Sequence, residues 1–94
     1  DKQLYFGRTA LMEAASQGHK ESVDFLLQQG AAVNLQDRAG QTALHLAALS
    51  GHVECVNSLL EAGALPGLRT NSGLNCLMGA SGAGRYAVVQ RLLE

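Results

Sequence analysis

Gly40 to Ala64 reads GQTALHLAALSGHVECVNSLLEAGA, and this stretch decides the fold. Thr42 stands just ahead of an apolar run, where its hydroxyl can cap the free N–H groups of a starting helix. Ala43, Leu44, Ala47 and Ala48 follow at helical spacing, and Gly51 is placed to stop that helix. Val56, Leu59 and Leu60 give a second apolar stripe at i, i+3, i+4, which Gly63 ends. The pattern predicts two short helices joined by a turn.

The same string occurs upstream. Gly7 to Ala39 (GRTALMEAASQGHKESVDFLLQQGAAVNLQDRA) aligns without gaps to Gly40 to Ser72 (GQTALHLAALSGHVECVNSLLEAGALPGLRTNS), with 15 of 33 positions identical. The matches include Thr9, Leu11, Ala14, Ala15, Gly18, Val23, Leu26 and Leu27, so both helices and both stops are copied. A third copy starts at Gly73 (GLNCLMGASGAGRYAVVQRLLE) and ends part-way through the period. Asp37-Arg38-Ala39-Gly40 and Thr70-Asn71-Ser72-Gly73 are runs of turn-formers and predict tight turns between units. Each predicted helix is shorter than the roughly 12 to 15 residues that make an isolated helix even marginal. One unit cannot cover its own apolar face, so the units must stack.

With x at the variable positions, Gly40 to Ala64 reads GxTALHLAAxxGHxExVxxLLxxGA, which resembles the signature of the ankyrin-repeat family, and the resemblance runs from Gly7 to Glu94. It implies an all-α solenoid of helix pairs with projecting β-hairpin turns. The expected organisation is one domain over 1–94: a non-matching lead-in (1–6), repeats at 7–39 and 40–72, and a partial repeat at 73–94. The resemblance also implies a module that binds another protein and catalyses nothing. It implies that His19 and His52 bond backbone between loops, and that His45 ties together a helix start. Leu26-Leu27 with Val33-Asn34 resembles the site at which asparaginyl hydroxylases modify such repeats. Against that stands the ordinary role of a turn asparagine, which bonds local backbone.

The ends depart from the pattern. Asp1 to Phe6 reads as a capping segment, the tail of an earlier repeat or foreign sequence, and neither end shows a polar cap. A fragment of a longer protein is the expectation. In the third unit Gly79 and Gly82 fall inside the predicted first helix, and Arg85 replaces the repeated histidine. Each glycine costs a helix interior about 1 kcal/mol against alanine, so Asn75 to Ala83 is expected to be the most mobile helical segment.

Composition excludes several classes. The net charge of −1 offers no concentrated positive field for nucleic acid or an anionic membrane. No apolar run approaches the roughly 20 residues of a membrane span. Two cysteines, Cys55 and Cys76, make no disulfide framework and point to an intracellular setting, cytoplasmic or nuclear. His52 and Cys55 form an H-x-x-C, but four converging zinc ligands are lacking. No nucleophile has a base beside it, and no Gly-Lys-Ser/Thr follows the glycines. Cofactors are expected to be none.

Function is expected where the repeat leaves residues free. The expected hairpin-tip contacts are Arg8, Gln36, Arg38, Gln41, Arg69, Asn71 and Leu74. On the concave helix face they are Glu13, Gln17, Leu46, Leu49 and Ser50. Arg8, Arg38 and Arg69 make a mildly positive ridge, opposed chiefly by Asp37, while Glu21, Asp24, Glu54, Glu61 and Glu94 fall towards the second helices. Leu46 and Leu49 would form an apolar centre flanked by arginine, the composition that binding hot spots favour. The expected partner is a protein segment carrying acidic and apolar residues. The competing readings are a spacer within a longer solenoid and self-association through uncapped ends.

Overall fold

The computed structural model describes residues 8–94. The lead-in Asp1–Phe6, and Gly7 at the head of the first unit, lie outside the described residues. Six α-helices follow in three pairs: α1 (Ala10–Gln17) with α2 (Lys20–Gln28), α3 (Ala43–Ser50) with α4 (Val53–Glu61), and α5 (Cys76–Gly82) with α6 (Tyr86–Leu93). The expected β-hairpins are present as tight turns with no strand among the described residues. In the first of these turns Gly40 N–H donates to Asp37 O at 2.9 Å and Asp37 N–H donates to Gln41 O at 2.9 Å. The second repeats the pattern, Gly73 to Thr70 at 2.9 Å and Thr70 to Leu74 at 2.8 Å.

The caps are those the sequence predicts. Thr9 accepts from Met12 N–H, Thr42 from His45 N–H, and Asn75 from Met78 N–H. Only α3 has the reciprocal half, in which the His45 side chain accepts from Thr42 N–H. Gly18 and Gly51 stop α1 and α3 in the left-handed conformation, at φ 77 and 81°.

The helices form two layers. α1, α3 and α5 pack side by side as an inner row, α2, α4 and α6 as an outer one, and each pair also packs on itself. Alanines at Ala14, Ala15, Ala43, Ala47, Ala48 and Ala80 are buried and let the inner helices approach closely. Leu11, Leu44, Leu59, Val23, Val56 and Val88 fill the space between layers. Burying each such aliphatic side chain is worth about 1.5–3 kcal/mol. Cys55 and Cys76 are buried in this core. Burial pushes the Cys76 thiol up to about 12 and that of Cys55 upward too, which keeps both in the unreactive thiol form.

Leu11, Met12, Ala15 and Val23 of the first unit and their counterparts Leu44, His45, Ala48 and Val56 of the second are buried, as are Ala43, Ala47 and Cys55 of the second unit and their counterparts Cys76, Ala80 and Val88 of the third.

Candidate partner-binding surface

The two turns are zipped together by bonds that run from unit to unit. Asn71 N–H donates to Ala39 O at 2.9 Å, and Asn71 Nδ2 donates to Arg38 O at 2.6 Å. Gln36 Nε2 donates to Gly40 O at 2.9 Å within its own turn and to Arg69 O at 3.0 Å in the next. Gly40 permits this contact, because a methyl there would lie 2.7 Å from Asn71 N. Gln36 and Asn71, both expected to face a partner, thus also hold the ridge together.

The ridge arginines are not equivalent. Arg8 Nη1 is 2.8 Å from Glu13 Oε1, and its Nε lies 3.7 Å from Asp37 Oδ2. Asp37 is almost covered; its Oδ1 accepts from the N–H groups of Ala39 and Gln41 at 2.9 Å each. Arg69 Nη1 donates to Gly73 O at 2.7 Å while remaining exposed. Arg38 is exposed, and among the described residues its guanidinium has no hydrogen-bond or ion-pair partner.

Leu46 corrects the expected apolar centre. It is 4% exposed and belongs to the core, because α3 is packed between α1 and α5. Leu49, one turn later, is 41% exposed, and Leu74 at the second turn is 45% exposed. These two border a small pocket whose wall also includes Gln41, His45, Thr70, Asn75, Cys76 and Gly79. Gly79 occupies the position that Leu46 holds in the unit before, and a methyl added to it would meet nothing within 4 Å. Gln17 is exposed, Ser50 is half-buried, and Gln41, on the pocket wall, is half-buried too.

His45 links the pocket to the scaffold. Its Nε2 lies 3.2 Å from Leu74 O; a carbonyl can only accept, so the proton sits on Nε2. Nδ1 is then free to accept from Thr42 N–H at 3.0 Å. Burial holds the His45 pKa below its ordinary value. Among the described residues His19 and His52 do not make the expected side-chain bonds to loop backbone. The His52 ring instead stacks on Gly18, where a methyl would lie 2.6 Å from Nδ1. In the third unit Arg85 takes that position: it packs on Gly51 and its Nε donates to Leu49 O at 3.0 Å. A cation at the last turn of α3 also complements the helix dipole. The alignment of Arg85 with His52 is the sequence signal for this role.

Asn34 bonds outward rather than to its own loop. Its Nδ2 donates to Gly63 O at 3.3 Å and its Oδ1 accepts from Leu65 N–H at 2.9 Å, both in the following unit. On the outer row, Glu21, Asp24, Glu54 and Glu61 lie on α2 and α4 as expected, and Glu94 caps α6. Lys20 bonds Asp24 at 2.7 Å, and Arg91 bonds Asn57. Hydrogen bonds from Lys20 and Ser58 hold the Asp24 carboxyl below its ordinary pKa.

Among the described residues no group of three or more His, Cys, Asp and Glu converges on a metal-sized site. No helix there is long and apolar enough to cross a membrane. In comparison with known families, the sequence model described as Ankyrin repeats (3 copies) matches residues 1–70. No curated protein matches the chain.

Proposed function

The chain belongs to the ankyrin-repeat family, and from that membership we propose that it is a non-catalytic binding module that takes a segment of a partner protein across its turn tips and inner helix face. Such domains are generally protein-interaction modules. The observation that carries the finer reading is the exposed pair Leu49 and Leu74 around the pocket that Gly79 also lines, with Arg38, exposed and without a partner among the described residues, on the ridge beyond. Leu49 and Leu74 supply apolar contact, and Arg38 and Arg69 can clamp carboxylates bidentately, so an acidic and apolar segment is the complementary partner. Arg8 contributes less, because Glu13 and Asp37 already occupy it. Gln17, Gln41, Ser50 and Asn71 form the polar rim.

The test is capture from cytosolic and nuclear extract, followed by binding assays on each protein retained. Arg38→Glu and Leu49→Glu should each abolish retention, and Glu21→Ala on the outer row should leave it intact. Identical retention by all the variants would sink the groove reading and favour a spacer. Asn34 enters the same proposal as a hydroxylation site. Protein purified from cells should carry a one-oxygen mass gain on Asn34, and its absence would remove that part.

A further inference from the structure

We propose that Gly79 selects what this module binds, by keeping open a pocket for one leucine-like aliphatic side chain with an acidic residue beside it in the partner. The proposal rests on the groove reading above and adds what the groove prefers. Two junctions of the molecule can be compared position by position. Between the first and second units Leu46 is 4% exposed, and Arg8 Nε lies 3.7 Å from Asp37 Oδ2, whose side chain is also 4% exposed. Between the second and third units Gly79, Gln41 and Thr70 stand at the positions of Leu46, Arg8 and Asp37. The aliphatic plug and the ion pair are both gone.

What remains is a pocket of about 40 Å³, with His45 and Leu49 of α3 on one wall and Thr70, Leu74 and Gly79 on the other. That exceeds the ~30 Å³ share of one water and falls far short of the ~150 Å³ cavity that holds a benzene ring. It suits the branched end of one aliphatic side chain and excludes an aromatic one. A methyl on Gly79 would meet nothing within 4 Å, so the free space starts at its Cα. Three polar side chains of the wall are already engaged. His45 Nε2 is on Leu74 O, Thr70 Oγ1 bonds Ser72 and accepts from Leu74 N–H, and Asn75 Oδ1 accepts from Met78 N–H. A polar guest would give up water for few partners, so the pocket favours an apolar one. Arg69 sets the second requirement. Its Nη1 donates to Gly73 O at 2.7 Å, which holds the guanidinium over the residue before Leu74 and leaves its other N–H groups for a carboxylate.

Titration of the isotope-labelled chain with blocked peptides, read by amide chemical shifts, tests the proposal. Acetyl-Glu-Leu-Glu-amide should shift the amides of Leu49, Leu74 and Gly79 saturably, with a Kd of about 1 mM. The same peptide with alanine in the middle should bind roughly tenfold more weakly, having lost the buried aliphatic carbons. The phenylalanine peptide should be weaker as well, and so should the leucine peptide flanked by glutamine. Gly79→Leu restores the plug of the unit before and should abolish binding of the leucine peptide, with circular dichroism unchanged. Gly79→Ala, which favours the helix, should weaken it roughly fourfold, the worth of one buried carbon. Should Gly79→Leu fail to fold, Gly79→Ala carries the test. No saturable shift with the leucine peptide, equal affinity for the phenylalanine peptide, or affinity unchanged by filling Gly79 would each overturn the proposal. The groove reading fails separately, on capture that survives Arg38→Glu and Leu49→Glu. Capture lost in those two variants but kept in Gly79→Leu would sink the selection by Gly79 alone.

Discussion

In the middle unit Thr42 and His45 cap α3 reciprocally, and Leu46 closes its inner face. In the third unit Asn75 caps α5 alone, Met78 stands open in place of His45, and Gly79 stands in place of Leu46. The backbone plan is the same and the turn bonds repeat almost to the ångström. What differs is how firmly side chains hold that plan, and the difference falls on the wall of the proposed groove. In the middle unit α3 is packed between α1 and α5. The third trades helix-forming residues for open space.

The largest expected effect contrasts equivalent leucines. Leu44 is fully buried, so Leu44→Ala should cost about 2–5 kcal/mol in denaturant unfolding. Leu77, its counterpart in α5, is only partly covered, and Leu77→Ala should cost less than half as much. Equal losses would break the comparison. Next in size, Gly79→Ala and Gly82→Ala should each stabilise the chain by about 1 kcal/mol, since both lie in α5 and an added methyl meets nothing. A loss of stability instead would mean that the groove floor is not free space. If Gly79→Ala also weakened partner binding, the open floor would be tied to function.

The smallest effect is that of pH. Burial lowers the His45 pKa in the folded chain, so the unfolded chain binds the extra proton more readily. The contribution of neutral His45 is therefore complete above the ordinary value of 6.5 and is lost as pH falls through the lowered folded value. Unfolding midpoints should drop on acidification through that window, and His45→Asn should remove this part of the drop while lowering stability at neutral pH. An unchanged slope in the variant would separate His45 from the acid response.

Much of this architecture is legible in the sequence, because stacking repeats reduce the problem to one unit and its copies. Caps, stops and turns depend on residues within a few positions of one another, so Thr42, Gly51 and Asp37 to Gly40 can be read directly. Burial depends on neighbours a whole period away. Leu46 reads as a free inner-face residue in an isolated unit and is covered once α1 and α5 flank it. Asn34 escapes a local reading for the same reason, since its partners Gly63 and Leu65 belong to the next unit. Arg8 reads as a free ridge charge, but Glu13 one turn into α1 and Asp37 in the following turn converge on it. Which arginines stay available is a three-dimensional fact that spacing alone does not carry.

Native-state hydrogen exchange, read residue by residue on the unmodified chain, tests the contrast between the two units most directly. Amides of α3, Ala43 to Ser50, should exchange only through near-global opening, while those of α5, Cys76 to Gly82, should exchange through a smaller local opening. Equal protection in the two helices would contradict the account, and with it the view that the third unit gave up rigidity to open the groove.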